Sequence, residues 1–200
     1  PCLDSQSYIE IDRRNGIRQA VSHLVKEGYR RIGLLTFPFE HNSLQQRRDG
    51  YRQEISESGL PFNPDFISMV PQYPDAPSIK ALLKDYVDNE ILPKRLDAVI
   101  AVNDIYASHL LRELLTRGIR VPREIAIVGH DNDDFTEFSY PTLTTIDQSP
   151  CAVGEAAFHM LLTGLKQPGR SMGPQTITTE LIIRESSNRS KFNDINTITL

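Results

Sequence analysis

Short apolar runs alternate with amphipathic helical segments along the first three quarters of the 200-residue chain. Apolar residues recur at helical spacing from Ile17 to Val25, and Gly28 follows where a left-handed helix end is expected. The apolar runs span residues 31–36, 66–70, 98–102, 125–129 and 143–146, with helical patterns between them that close near Gly59, near Val87 and at Gly118. Strands that are apolar throughout are buried on both faces. We therefore predict an α/β fold with a doubly wound parallel sheet.

The pattern changes after Pro150. Residues 151–164 predict a helix with one apolar face, formed by Val153, Ala156, Met160 and Leu161. A loop with glycine and proline follows, and residues 177–184 predict one further strand. The polar segment from residue 185 onward is expected to fray.

Composition limits the class of protein. The chain is 39% hydrophobic, which is enough for one ordinary core or two small lobes. It carries 22 basic and 26 acidic residues without a basic block, so it has no nucleic-acid footprint of its own. Cys2 and Cys151 lie far apart, which favours a reducing compartment, and no run of 18 apolar residues predicts a membrane span. We expect a cytoplasmic protein.

Enzyme signatures are missing. The sequence contains no G-x-G-x-x-G, G-x-x-x-x-G-K-[ST], G-x-S-x-G or H-E-x-x-H motif, and its five histidines are scattered. We expect neither catalysis nor a bound metal or cofactor.

Polar residues follow three of the predicted strands directly. Asn103 and Asp104 come after one strand, Asp131 and Asn132 after the next, and Gln148 after the last. The carboxyl ends of parallel strands line the ligand crevice, so these residues are candidates for reading a small polar molecule. Asn103 offers a donor and an acceptor together, and Asp131 can accept from two hydroxyls. Asp104 is equally suited to cap the next helix, and acidic turn residues such as Asp131 are also common.

Three residues that lie earlier in the chain, Ser43, Arg47 and Tyr73, complete the set of candidate ligand-binding residues. Arg47 lies four residues after Ser43 at the start of a helix, where it could present a bidentate fork to hydroxyls or a carboxylate. A solvated helix-face arginine is the alternative. Tyr73 follows the second strand and could stack on a sugar or base, although loop tyrosines often only cover the edge of a core.

Ordered motifs through nearly the whole chain carry a resemblance. They are IDRRNGIRQAVSHLVKEGYRRIGLL, Ser43-x-x-x-Arg47-x-x-Gly50-Tyr51, AVIAVNDIYA, GIRVPREIAIVGHDND, YPTLTTIDQ and ELIIRESS. In these motifs the chain resembles the ligand-sensing part of the lactose repressor and galactose repressor family of bacterial transcription regulators. Carried over residue by residue, the family's effector contacts fall on Ser43, Arg47, Tyr73, Asn103, Asp131 and Gln148. His130 is a departure, because an aromatic or apolar residue is more usual before the aspartate.

The resemblance implies a domain organisation and partners. Two α/β lobes, joined by three crossing strands, would hold a small-molecule effector, a sugar rather than a purine, and a helix-turn-helix would bind operator DNA in a homodimer. In this division residues 1–11 end the N-terminal lobe and form a crossing strand, and residues 12–148 with 178–190 form the C-terminal lobe. Residues 149–177 are a remnant of the N-terminal lobe and 191–200 a tail, and the helix-turn-helix is absent.

This division has two expected consequences. The apolar face of the helix over 151–164 would be left without its sheet and would pack on another chain or on residues 1–11. With one wall of the cleft, effector binding would be far weaker than in an intact sensor. Two other classes remain open, a solute-binding protein of a transport system and an enzyme of doubly wound fold.

Overall fold

The computed structural model describes residues 7–72, 75–167 and 171–190. Its strands are β1 (Tyr8–Asp12), β2 (Ile32–Thr36), β3 (Ile67–Met69), β4 (Ala98–Ile100), β5 (Ala126–His130), β6 (Thr144–Asp147), β7 (Pro174–Thr178) and β8 (Glu180–Ile182). Its helices are α1 (Arg13–Lys26), α2 (Asn42–Glu57), α3 (Ala76–Tyr86), α4 (Leu92–Lys94), α5 (Asp104–Thr116) and α6 (Pro150–Lys166). Short 3-10 turns lie at Pro64–Phe66, Asp134–Glu137 and Glu185–Ser187.

Six strands form one twisted sheet in the order β3-β2-β4-β5-β6-β8. The first five are parallel, and β8 is antiparallel to β6. Side chains that alternate along β2 point to opposite faces: Leu34 packs under α1 and α2, and Leu35 packs under α3 and α5. The predicted doubly wound α/β class is confirmed, and the five predicted parallel strands lie within two residues of their observed bounds.

The helix predicted to close near Val87 continues further. It passes through one π turn, Val87–Ile91, into α4, where Arg95 in the left-handed region ends it. Pro93 has no amide hydrogen to donate to the carbonyl four residues earlier, so a regular α-helical ladder cannot run through this segment.

Helices α1 and α2 cross at very close range because Gly50 has no side chain. A β-carbon at Gly50 would lie 2.5 Å from the carbonyl oxygen of Arg14 and 3.1 Å from its Cα. The contact fixes α2, and therefore Arg47 one turn earlier, against the start of α1. The position of one candidate site residue thus depends on this glycine.

The single strand predicted over 177–184 is wrong in detail, because the chain changes sheets at Thr179. β7 pairs in parallel with β1 in a separate two-stranded sheet, whereas β8 joins the six-stranded sheet. Thr179 is buried, and its Oγ1 donates to the Asp12 carbonyl oxygen at 2.9 Å. Three passages between the two sheets, after β1, after β6 and at Thr179, therefore lie together, and we call them the crossings.

The prediction that the chain frays from residue 185 onward is wrong for residues 185–190. Ser186 and Ser187 are fully buried. Ser186 Oγ donates to the Ile127 carbonyl oxygen at 2.6 Å and accepts from the Thr144 amide at 2.9 Å, which ties the segment to β5 and β6. A polar segment is ordered when its hydroxyl groups make hydrogen bonds with buried backbone atoms of neighbouring strands. The rest of the predicted tail, 191–200, lies outside the described residues.

Helix α6 has no buried residue. Its apolar side chains Val153, Ala157 and Met160 share a groove with Ile9 of β1, while Leu161 is 61% exposed. The predicted apolar face is present and borders residues 7–11, but it stays largely uncovered.

Candidate functional site

The carboxyl edge of the sheet brings most of the predicted site residues together. Arg47 comes from α2, Asn103 from the end of β4, Asp131 from the end of β5 and Gln148 from the end of β6. Strands β4, β5 and β6 are neighbours, so their ends meet at one edge. We call this set, together with Arg13 described below, the edge row.

Arg47 lies across the end of β4 and is charged in a mostly buried setting. Its Nη1 donates to the Val102 carbonyl oxygen at 2.7 Å, and its Nη2 lies 3.4 Å from Nδ1 of His130. Its Nε is buried and has no partner among the described residues. Burial lowers the pKa of Arg47 to about 10, against the attraction of Asp131, so the guanidinium stays charged at neutral pH. The solvated-arginine alternative is wrong.

Asp131 and Gln148 bond to each other and to a residue that the sequence did not single out. Gln148 Nε2 donates to Asp131 Oδ1 at 2.5 Å, and Arg13 Nε donates to Gln148 Oε1 at 3.1 Å. Arg13 opens α1 directly after β1. The feature of the sequence that could have identified Arg13 is its position directly after a crossing strand. That position lies before the repeated strand-helix units that supplied the other candidates.

The backbone at this edge is strained. Asp131 has φ 117° and Asn132 has φ 58°, both in the region that favours glycine. The Asp131 amide donates to the Ile146 carbonyl oxygen at 2.9 Å, and the Asn132 amide donates to Thr145 Oγ1 at 3.2 Å. These bonds to β6 hold the turn. Strain retained in this way is typical of ligand sites.

His130 is fully buried between Asp131 and Arg47. Its Nδ1 lies 3.1 Å from Asp131 Oδ1, and its buried Nε2 has no partner in the part of the chain that the structure describes. A proton on Nδ1 satisfies the carboxylate and leaves Nε2 as a bare acceptor, which fits the neutral ring. Burial lowers the pKa of His130 to about 4, against the hydrogen bond to Asp131. The sheet edge therefore contains a neutral imidazole where the resemblance led us to expect an aromatic or apolar side chain.

His130 makes stability depend on pH. Its folded pKa lies below the unfolded value, so its contribution is complete above about pH 6.5 and is lost as pH falls toward 4. As pH falls from 7 to 5, protonation of His130 in the unfolded chain should lower the free energy of unfolding by about 2 kcal/mol. We expect His130→Phe to lack that loss in urea unfolding curves and the exposed His159→Phe to keep it. Equal pH responses of His130→Phe and wild type would contradict the assignment.

Asn103, and not Asp104, is the residue that caps the next helix. Asn103 caps α5, its Oδ1 accepting from the Tyr106 amide at 3.0 Å, so only its Nδ2 donors remain for a ligand. Asp104 is not the cap. It is fully buried and accepts from Thr145 Oγ1 at 2.6 Å and from the Asp133 amide at 2.9 Å. Asp104 therefore ties α5, β6 and the Asp131 turn together.

The last two candidates are less well placed. Ser43 lies in the first turn of α2, where its Oγ is 2.8 Å from Nδ1 of the capping His41. It is not bonded to the edge row. Tyr73 lies outside the described residues, so its stacking role stays a prediction.

Across 7–72, 75–167 and 171–190, no helix is long and apolar enough to cross a bilayer. Over the same residues, no three histidine, cysteine or acidic side chains are grouped so as to hold a metal ion.

The fold agrees with a known family. The chain belongs to the family described as the periplasmic binding protein-like domain, whose model matches residues 21–187. Its relatives are transcription regulators of the LacI family. The repressor CytR of Escherichia coli K12 is 32% identical over 179 residues, which cover 90% of this chain and 51% of the repressor. The repressor PurR of Vibrio parahaemolyticus is 32% identical over 167 residues, which cover 84% and 48%.

Solved structures give the same result. The transcriptional regulator CelR–cellobiose complex matches with a TM-score of 0.79 at 28% identity, covering 92% of this chain and 54% of that chain. A LacI family transcriptional regulator from Mycobacterium smegmatis matches with a TM-score of 0.76 at 26% identity, covering 89% and 64%. The chain thus spans about half the length of the relatives it matches in sequence, and the match lies on their ligand-binding region.

Proposed function

We propose that this chain is the effector-sensing region of a bacterial transcription regulator, and that the edge row is one wall of its effector site. The observation that carries the proposal is the continuous contact path from Arg13 through Gln148, Asp131 and His130 to Arg47. These five side chains come from α1, from α2 and from the ends of β5 and β6, and they meet on a strained sheet edge. The arrangement exceeds what packing requires and suits recognition of a polar small molecule.

The effector is a sugar or a sugar-like polyol. The edge row presents guanidinium and amide donors beside the Asp131 carboxylate, and vicinal hydroxyls can accept from the former and donate to the latter. The CelR–cellobiose complex among the structural relatives supports this class. A purine is the second candidate, because Asn103 and Asp131 could also bond to the edge of a base.

A transcription regulator is favoured over the two other classes, a solute-binding protein of a transport system and an enzyme of doubly wound fold. The relatives named above are repressors and regulators rather than transport proteins or enzymes. We infer that this protein acts in the cytoplasm, without catalysis, and that operator DNA is bound by a helix-turn-helix outside these 200 residues. The expected division into a C-terminal lobe, 12–148 with 178–190, and an N-terminal remnant, 149–177, is part of the proposal. The crossings are its supporting feature.

A homodimer is also part of the proposal. Phe138 and Tyr140 are 85% and 86% exposed, and Tyr140 lies beside a groove of α5 lined by Leu111 and Leu115. Aromatic side chains exposed to this extent beside an apolar groove suit burial against a second copy.

A thermal-shift panel on the 200-residue chain tests the class of effector. Cellobiose, glucose, ribose and hypoxanthine are each added up to about 10 mM, because an open wall that buries only part of a ligand should bind in the millimolar range. We expect at least one sugar to raise the midpoint temperature and hypoxanthine to have no effect. A shift with hypoxanthine alone would replace the sugar with a purine, and micromolar sugar binding in calorimetry would contradict the one-wall geometry.

A further inference from the structure

Two arginines at the edge row face one carboxylate. Arg13 and Arg47 both lie within electrostatic range of Asp131, and the charge of Arg13 adds to burial in lowering the pKa of Arg47. His130 is neutral at pH 7, so it does not change this balance. The edge row therefore holds one positive charge more than Asp131 can compensate.

Three other carboxylates near the crossings accept hydrogen bonds from groups other than Arg13 and Arg47. Glu10 accepts from Gln46 Nε2 at 2.5 Å, and Asp12 accepts from the Asn15 amide at 3.0 Å. Asp147 accepts from the Ser149 amide at 2.6 Å and from Asn132 Nδ2 at 3.2 Å. Glu10 still attracts Arg13 through space, but none of the three accepts a hydrogen bond from either arginine in the described part of the chain.

The unused hydrogen-bonding atoms of the edge row are mostly donors. Arg13 uses only its Nε, which leaves its two terminal nitrogens without a partner among the described residues. The Nε of Arg47 is buried and unpartnered, and the Nδ2 of Asn103 makes no bond within the same residues. A buried donor without an acceptor is unfavourable, and a charged one more so. The unpartnered atoms at the two arginines and at Asn103 are therefore donors, and an acceptor from a ligand can satisfy them.

We propose that Arg13 is a further specificity-determining residue, and that it selects an effector carrying an anionic group, a carboxylate or a phosphate on a sugar. The inference rests on the proposed function and narrows it. The two terminal nitrogens of Arg13 can donate hydrogen bonds to either group in a bidentate manner, while its Nε keeps Gln148 in place. The Arg13–Gln148 bond joins the crossing after β1 to the crossing after β6. An anion held there contacts the place where the chain passes between its two sheets.

Paired ligands and paired variants test the proposal. The dissociation constants of glucuronate, glucose 6-phosphate and glucose are measured by calorimetry at fixed ionic strength for wild type, Arg13→Gln, Arg13→Lys and Arg14→Gln. Arg14 is the matched control, because it is the next residue, is 51% exposed and pairs with Asp49 outside the edge row. Urea midpoints establish that each variant is folded.

We expect wild type to prefer one of the two anionic sugars over glucose by about tenfold or more, since a charge-assisted pair exceeds a neutral hydrogen bond by that margin. Arg13→Gln should abolish the preference without weakening glucose binding by a similar factor. Arg13→Lys should keep part of the preference, and Arg14→Gln should keep all of it. Preference for glucuronate alone assigns the carboxylate, and preference for glucose 6-phosphate alone assigns the phosphate.

Other outcomes overturn the proposal in distinguishable ways. If glucose binds as well as both anionic sugars, or if folded Arg13→Gln keeps the wild-type preference, the role of Arg13 is refuted while a sugar-sensing site stands. If these three ligands, the earlier sugar panel and hypoxanthine all fail to bind wild type, both the role of Arg13 and the proposed function fail.

Discussion

Gly50→Ala is expected to lower the free energy of unfolding by about 3 kcal/mol, among the largest effects of any single methyl group in this chain. The added carbon would lie 2.5 Å from the carbonyl oxygen of Arg14, a backbone atom that cannot rotate away. Helices α1 and α2 must separate, which disturbs the packing of Tyr51 and Ile17 on the sheet. Urea unfolding curves, compared at constant slope, measure the loss.

Gly154→Ala is the control for this prediction. Gly154 lies in the exposed helix α6, and its added β-carbon would have no neighbour within 4 Å. Alanine favours helix over glycine, so we expect the free energy of unfolding to stay constant or rise by up to about 1 kcal/mol. A Gly50→Ala variant as stable as Gly154→Ala would contradict the close helix crossing.

Asp131→Asn is expected to weaken sugar binding by about tenfold to a hundredfold, because the charged acceptor of the edge row is replaced by a neutral amide. The substitution is conservative in other respects. Asparagine tolerates positive φ, and its Oδ1 can still accept from Gln148. Calorimetry with the panel sugar that most stabilises wild type measures the loss.

Asp134→Asn separates this effect from a general change in charge. Asp134 is an exposed residue in the 3-10 turn that follows, and it has no bond to the edge row within the described residues. We expect its sugar affinity to match wild type. An unchanged affinity of folded Asp131→Asn would remove Asp131 from the site.

The main sheet was predictable from the sequence because its strands carry a strong local signal. β2, β4 and β5 are apolar at nearly every position, and each is followed by a polar turn, so their existence and order could be predicted from the chain alone. The same argument placed Asn103, Asp131 and Gln148 on one edge. Their roles in ligand binding remain predictions.

The errors arose where structure depends on distant partners. Ser186 and Ser187 look like a polar tail in the sequence, yet they are buried because β5 and β6 supply their hydrogen bonds. The break at Thr179 depends on two different sheets competing for one segment. Arg13 was missed because its partner Gln148 is 135 residues away, a separation that no local pattern contains.

The most direct test of the central claim, that the edge row is the ligand-binding wall, is amide chemical-shift mapping on the ¹⁵N-labelled chain. The chain is titrated with cellobiose, glucose, glucuronate and glucose 6-phosphate in turn. We predict that a binding sugar shifts the amides around Arg13, Arg47, Asn103, Asp131 and Gln148 and leaves those of α6 in place. Shifts confined to the groove between α1 and β8, where Ser22 and Lys26 lie, with the edge row unmoved, would contradict the claim.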